Sequence, residues 1–228
     1  MPAPTTGRLL ALLLAALLAF TACSDDGGDG PADDPSDPTS GSSAVADEPY
    51  LPVPDGVELT AQGSDLAVGD TATVAYEPRQ DVVGALEITV TKLEKATFKL
   101  FVGWRITDEI KSTAPYFVRA EITNVGESDL GGRDVPLYAV DGDNRLVEAS
   151  ILGSSFKACP SQPFPEAFGP GDSTKVCLVY LAPDRGDLTA VSFRPTQEFD
   201  GITWTGDVVE AKVSRDMGDE KDKKKNRG

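Results

Sequence analysis

The chain has 228 residues, with 37 acidic and 21 basic side chains, a net charge of -16, three cysteines and no histidine. A chain this acidic repels phosphate backbones, which argues against a nucleic-acid partner. Without histidine it can assemble neither a Ser-His-Asp or Cys-His catalytic arrangement nor an imidazole metal site.

Arg8 precedes an apolar run from Leu9 to Phe20, which is too short to span a bilayer, since spanning takes about 20 apolar residues. A charged start, an apolar run and small residues before a cut describe a cleaved export signal over residues 1–22. The succession Thr21-Ala22-Cys23 follows the layout of a bacterial lipoprotein signal, in which the cysteine carries the lipid. Phe20 stands where an aliphatic residue, usually Leu, is expected, but it is also too bulky for an ordinary cut after Ala22. Lipidation of Cys23 would hold the protein on the outer face of the cytoplasmic membrane. It also accounts for the odd cysteine and leaves Cys159 and Cys177 to pair in an oxidising compartment. That bridge would close a loop of about 20 residues, worth about 3 kcal/mol in the chain-entropy model.

Residues 23–49 carry Asp25, Asp26, Asp29, Asp33, Asp34, Asp37, Asp47 and Glu48 among Gly, Ser and Pro, with neither a basic nor an aromatic side chain. Such a segment buries too little apolar surface to offset its ordering entropy, so it is expected to be a disordered tether with a reach of about 25 to 30 Å. The tail, residues 214–228, mixes Lys221, Lys223, Lys224, Lys225 and Arg227 with Asp216, Asp219, Glu220 and Asp222. It is expected to be disordered and solvated.

Residues 50–213, of ordinary size for one domain, read in period two. Ala72, Val74 and Tyr76 alternate with Thr71, Thr73 and Ala75; Leu86, Ile88 and Val90 alternate with Glu87, Thr89 and Thr91. Tyr116, Val118, Ala120 and Ile122 alternate with Phe117, Arg119, Glu121 and Thr123. Further strands are expected over 137–140, 145–149, 174–181, 188–193 and 202–205. Turn residues fill the gaps at Gly69-Asp70, Asn124-Val125-Gly126, Asp141-Gly142-Asp143-Asn144, Gly169-Pro170-Gly171-Asp172 and 183–187. About seven to nine short strands with such punctuation predict an all-β, Ig-like antiparallel sandwich. Cys177 falls in a strand and Cys159 in a proline-rich loop, so their bridge should pin the loop rather than cross the sandwich.

Chemistry-bearing candidates are few. Asp141, Asp143 and Asn144 place oxygen ligands close together, yet the further ligands and distal Glu of a calcium loop are missing, and a hairpin turn explains the residues. No metal, cofactor or catalytic residue is assigned. Phe98, Phe101, Trp104 and Arg105, with Leu100 and Val102, form an aromatic and basic cluster between two clear strands. One reading packs it on the core as a strand or crossover. The sharper reading makes it an exposed loop that captures a partner; replacing Phe101 and Trp104 by Ser would then abolish capture without unfolding. Trp204 is assigned to packing.

The succession Val68-Gly69-Asp70-Thr71, Leu86 to Val90, Tyr116 to Gly126 and Phe168-Gly169-Pro170-Gly171-Asp172 resembles the Ig-like extracellular domains of many Gram-positive lipoproteins, related to the mycobacterial immunoprotective secreted antigen. Val135-Pro136-Leu137-Tyr138, Cys159-Pro160, Lys175 to Tyr180, Arg194-Pro195-Thr196-Gln197 and Ile202 to Gly206 resemble a group of uncharacterised actinobacterial lipoproteins. The resemblance implies an Ig-like fold and an envelope location and transfers no active site. The expected function is a membrane-anchored, non-enzymatic module that binds or positions an envelope protein or glycan. The alternative is a histidine-free, carboxylate-dependent enzyme acting on an envelope polymer.

Overall fold

A computed structural model describes residues 49–212. The export signal, Cys23, nearly all of the acidic segment and the charged tail lie outside the described residues. What is described is an all-β sandwich of two sheets. The first sheet joins β1 (Asp65–Ala67), β9 (Ile202–Thr205), β8 (Leu188–Phe193), β5 (Tyr138–Asp141) and β6 (Leu146–Val147) in that order. The second has β3 (Val82–Lys95), β4 (Ala114–Asn124) and β7 (Ser173–Ala182) side by side. The other edge of β3 is shared by β2 (Thr71–Arg79) along its first half and β10 (Val208–Glu210) along its last residues.

Alternation decides which side chains meet between the sheets. Ala72, Val74, Ile88, Val118, Ile122 and Leu178 point inward from the second sheet, while Val191, Phe193, Ile202 and Trp204 point inward from the first. In β3 the alternation would fail between Val90 and Leu93, both fully buried, but a bulge between Val90 and Lys92 absorbs the odd residue. Trp204 is fully buried and its indole N–H donates to the Asp70 carbonyl at 3.0 Å, which fits the packing role expected of it. Tyr180, also fully buried, donates to the Leu137 carbonyl at 2.8 Å and so ties the two sheets.

Asn124 and the Gly169-to-Asp172 turn, far apart in sequence, form one corner. The Asn124 amide donates to the carbonyls of Ser128 and Phe168, both at 2.8 Å, and its Oδ1 accepts from the Gly126 N–H. Gly126 lies so close to β3 that a Cβ there would approach the Ala85 nitrogen to 2.8 Å.

Each of the eight strands expected from the sequence is present, though the one expected over 145–149 shrinks to β6. Two strands, β1 and β10, were not anticipated, and both pair in parallel, with β9 and β3. Three residues are too few to show alternation, and parallel pairing leaves no hairpin signal in the sequence. A second difference concerns β4. Phe117 falls on the polar side of the alternation yet is 1% exposed, because that side of the sheet is itself covered.

Candidate functional site

The cover on the outer face of the second sheet is built from two irregular segments, residues 96–107 and 150–161. Leu100, Phe101, Phe156 and Cys159 from these segments pack on Phe117 of β4 and on Cys177 and Val179 of β7, forming a second small core. Phe101 sits at its centre, with ring centroids 4.7 Å from Phe156 and 6.1 Å from Phe117. Cys159 and Cys177 form a disulfide with Cα atoms 5.2 Å apart, pinning the 150–161 segment to β7. This is the loop-pinning geometry expected of the pair.

Two charged strands of hydrogen bonding complete the layer. Glu94 is buried on the same face and takes Lys92 Nζ at 2.6 Å and Arg119 Nε at 2.7 Å on its two oxygens. Burial alone would raise its pKa, but the hydrogen bonds and charges of Lys92 and Arg119 outweigh it and hold the carboxyl below its ordinary value. Beside it, Arg119, Glu121, Gln162, Pro163 and Lys175 line an open groove of about 470 Å³. Its cations are already engaged, Arg119 with Glu94 and Lys175 with Glu121 at 2.6 Å.

The candidate cluster divides across this layer. Phe98 to Leu100 form a single 3-10 turn, Phe98 is half-buried and Phe101 is buried. The chain then reverses, with the Trp104 N–H donating to the Phe101 carbonyl at 3.1 Å. Gly103, third in that turn at φ +86, supplies the left-handed conformation the reversal needs. The turn leaves Val102 80% exposed and Trp104 39% exposed, with Arg105 exposed next to them. One face of Trp104 is steadied by Phe156, edge to face at 6.1 Å. The two readings therefore divide by residue: Phe101 is a core residue, as the packed reading has it, so its replacement by Ser would open a cavity rather than spare the fold as the exposed reading supposed. Trp104 and Arg105 stay on the surface, and Phe98 lies between the two conditions.

The Asp141 turn is explained by its own residues. Asp141 Oδ1 accepts the N–H groups of Asp143 and Arg145, and Oδ2 takes Arg145 Nε at 2.7 Å. The Arg145 N–H, then the guanidinium and the Asp143 N–H, hold the carboxyl below its ordinary value against its burial. Asn144 has φ 59, the left-handed conformation Asn tolerates in hairpins.

Phe156, which steadies Trp104, and Phe117, on which Phe101 and Phe156 pack, were not recognised from sequence as part of the site. Phe156 lies in a segment without periodicity, and Phe117 sits in the polar register of its strand. The cysteine pair could have placed the 150–161 segment on β7, but nothing in the sequence places residues 96–107 beside it.

A sandwich of two sheets with a disulfide-pinned loop layer is the class of protein these features define. No protein-family model and no curated protein matches the chain. Among solved structures, a conserved hypothetical protein from Bacillus anthracis is similar at 13% identity over 60% of this chain and 94% of its own, with a TM-score of 0.37. A likeness at that level assigns no function.

Proposed function

We propose that the protein is a lipoprotein held at the outer face of the cytoplasmic membrane through Cys23, whose sandwich binds or positions an envelope partner and catalyses no reaction. The observation that carries the binding surface is the Val102-to-Arg105 turn: an exposed apolar tip, a half-exposed Trp and an Arg on a rigid, stapled support. Trp and Arg are the side chains that most often dominate protein interfaces. A turn already ordered by Phe156 and by its own hydrogen bond loses little further entropy on binding. The non-enzymatic part rests on the absence of histidine and on the carboxylates themselves. Glu94, Asp129 and Asp141 are held below their ordinary values by hydrogen bonds and, for Glu94 and Asp141, by ion pairs inside the fold, which suits structural acceptors and not a general acid at neutral pH.

The test is cross-linking and capture from intact cells with the lipidated wild type and with Trp104→Ser. A stoichiometric partner that falls at least tenfold in the variant, with the melting transition unchanged, supports the reading. Equal capture by both proteins overturns the binding surface. Release of soluble product from cell-wall polymer by the purified protein overturns the non-enzymatic reading.

A further inference from the structure

The layer over β4 and β7 differs in charge from the rest of the chain. Residues 96–107 and 150–161 contain Lys99, Arg105 and Lys157, and every one of the chain's 37 acidic side chains lies outside these two segments. All three cations are exposed. None is in an ion pair among the described residues. Lys157 Nζ donates to the Ser154 carbonyl at 3.1 Å, which leaves its charge uncompensated. On the sheet beneath, Lys92 and Arg119 share the single carboxylate of Glu94. The next acids along the chain are Asp108 and Glu109, and Lys111 answers Asp108 at 2.8 Å. The net charge of -16 is thus unevenly spread. Exposed charges more than about 8 Å apart are largely screened at physiological ionic strength, so a body approaching this face feels its cations ahead of the distant acids.

The same layer carries exposed apolar side chains. Of the six large hydrophobics exposed among the described residues, Val102, Trp104 and Ile151 belong to these two short segments. Val102 and Gly103 are the central residues of the turn closed by the Trp104 N–H on the Phe101 carbonyl, so the apolar tip is convex. A convex tip finds no purchase on a partner without a matching cavity, but it enters a fluid interface with no need of one. Indole, apolar in body and with one polar N–H, is at home where lipid meets water. Lys and Arg lay their apolar stems beside such a tip and carry their charge to the headgroups.

We propose that this layer docks on an anionic phospholipid surface, with Val102 and Trp104 entering the interface and Lys99, Arg105 and Lys157 meeting the phosphates. The inference rests on the reading of the Trp104 turn as a binding surface and names what that surface meets. Lipid is favoured over an acidic protein by the convex tip and by cations spread across both segments rather than gathered about a pocket. The anchor proposed at Cys23 would make the contact intramolecular, so weak individual interactions suffice.

The experiment uses the full mature chain with Cys23→Ser, which carries no lipid of its own, sedimented with vesicles of phosphatidylcholine alone or with one third phosphatidylglycerol. Binding to the anionic vesicles at millimolar lipid, at least tenfold weaker on phosphatidylcholine, supports the inference when it falls tenfold or more both in Trp104→Ser and in the triple variant Lys99→Gln, Arg105→Gln, Lys157→Gln. Tryptophan emission should shift to the blue on binding, and Trp104→Ser should abolish the shift, because Trp204 is fully buried. The triple variant changes only exposed side chains, so its loss of binding does not depend on how Trp104→Ser folds. No binding to anionic vesicles, equal binding to both compositions, or binding that either variant leaves unchanged overturns the inference. Capture of a stoichiometric protein that Trp104→Ser abolishes, without vesicle binding, also overturns it and leaves the turn standing as a protein-binding surface.

Discussion

Ser161 shows how much of the loop layer hangs on single polar atoms. It is fully buried, and its Oγ accepts the Val179 N–H at 3.1 Å while its carbonyl accepts the N–H groups of Leu152 and Gly153. Ser161→Ala keeps the backbone bonds but strands a buried N–H, and should cost about 1 to 3 kcal/mol in chemical denaturation; an unchanged midpoint would show that Val179 finds another acceptor. Glu94 makes a pH-dependent contribution. Its folded pKa lies below the ordinary value of 4.5, so its stabilisation is present above about pH 4.5 and is lost as the pH falls through the folded value. Wild type should therefore be more stable than Glu94→Gln at pH 7, and the gap should shrink steadily in melts taken from pH 5 down to pH 2. At this scale the sequence was informative about Cys159, Cys177 and Trp204, whose chemistry restricts what they can do. It was silent about Tyr76, because a tyrosine in an apolar register reads as core and nothing in the pattern reveals that its buried hydroxyl has no hydrogen-bond partner among the described residues.

The strands were legible and the layer over them was not, for a physical reason. A strand announces itself by alternation, and β2, β3 and β4 each carry it over six residues or more. The cover formed by residues 96–107 and 150–161 has no period, and it buries Phe117, Val179 and Cys177 in the register that alternation assigns to water. The signal that could have exposed it was the pairing of Cys159 with Cys177, which brings a loop of unknown course onto a strand of known face. The bridge closes a loop of sequence separation 18, so Cys159→Ser with Cys177→Ser should lower stability by about 3 kcal/mol if the loop constrains chiefly the unfolded chain. Thermal or denaturant unfolding of the oxidised and doubly substituted proteins measures it. In the same experiment, near-ultraviolet circular dichroism from the Phe101, Phe156 and Trp104 rings should weaken while strand signal persists, if the layer loosens ahead of the sandwich.

For the whole molecule, the expected division of labour sets an anchor against a displayed domain. Cys23→Ala should shift the protein from the membrane fraction to the medium or leave it unprocessed, as read by fractionation and mass of the amino-terminal peptide. Normal processing with undiminished membrane retention would refute lipid attachment. The described residues contain no helix long and apolar enough to cross a membrane. The position of Ser150 and Ser161 has a further consequence for the exposed edge of the second sheet. β7 is the last strand of its sheet, and the 150–161 segment takes up both the N–H and the carbonyl of Val179 there, the carbonyl through Ser150 N–H at 2.7 Å. An unguarded β edge is a template on which a second chain can add its own strand. The disulfide-pinned segment that supports the Trp104 turn thus also blocks the addition of a further strand at this point of the β7 edge.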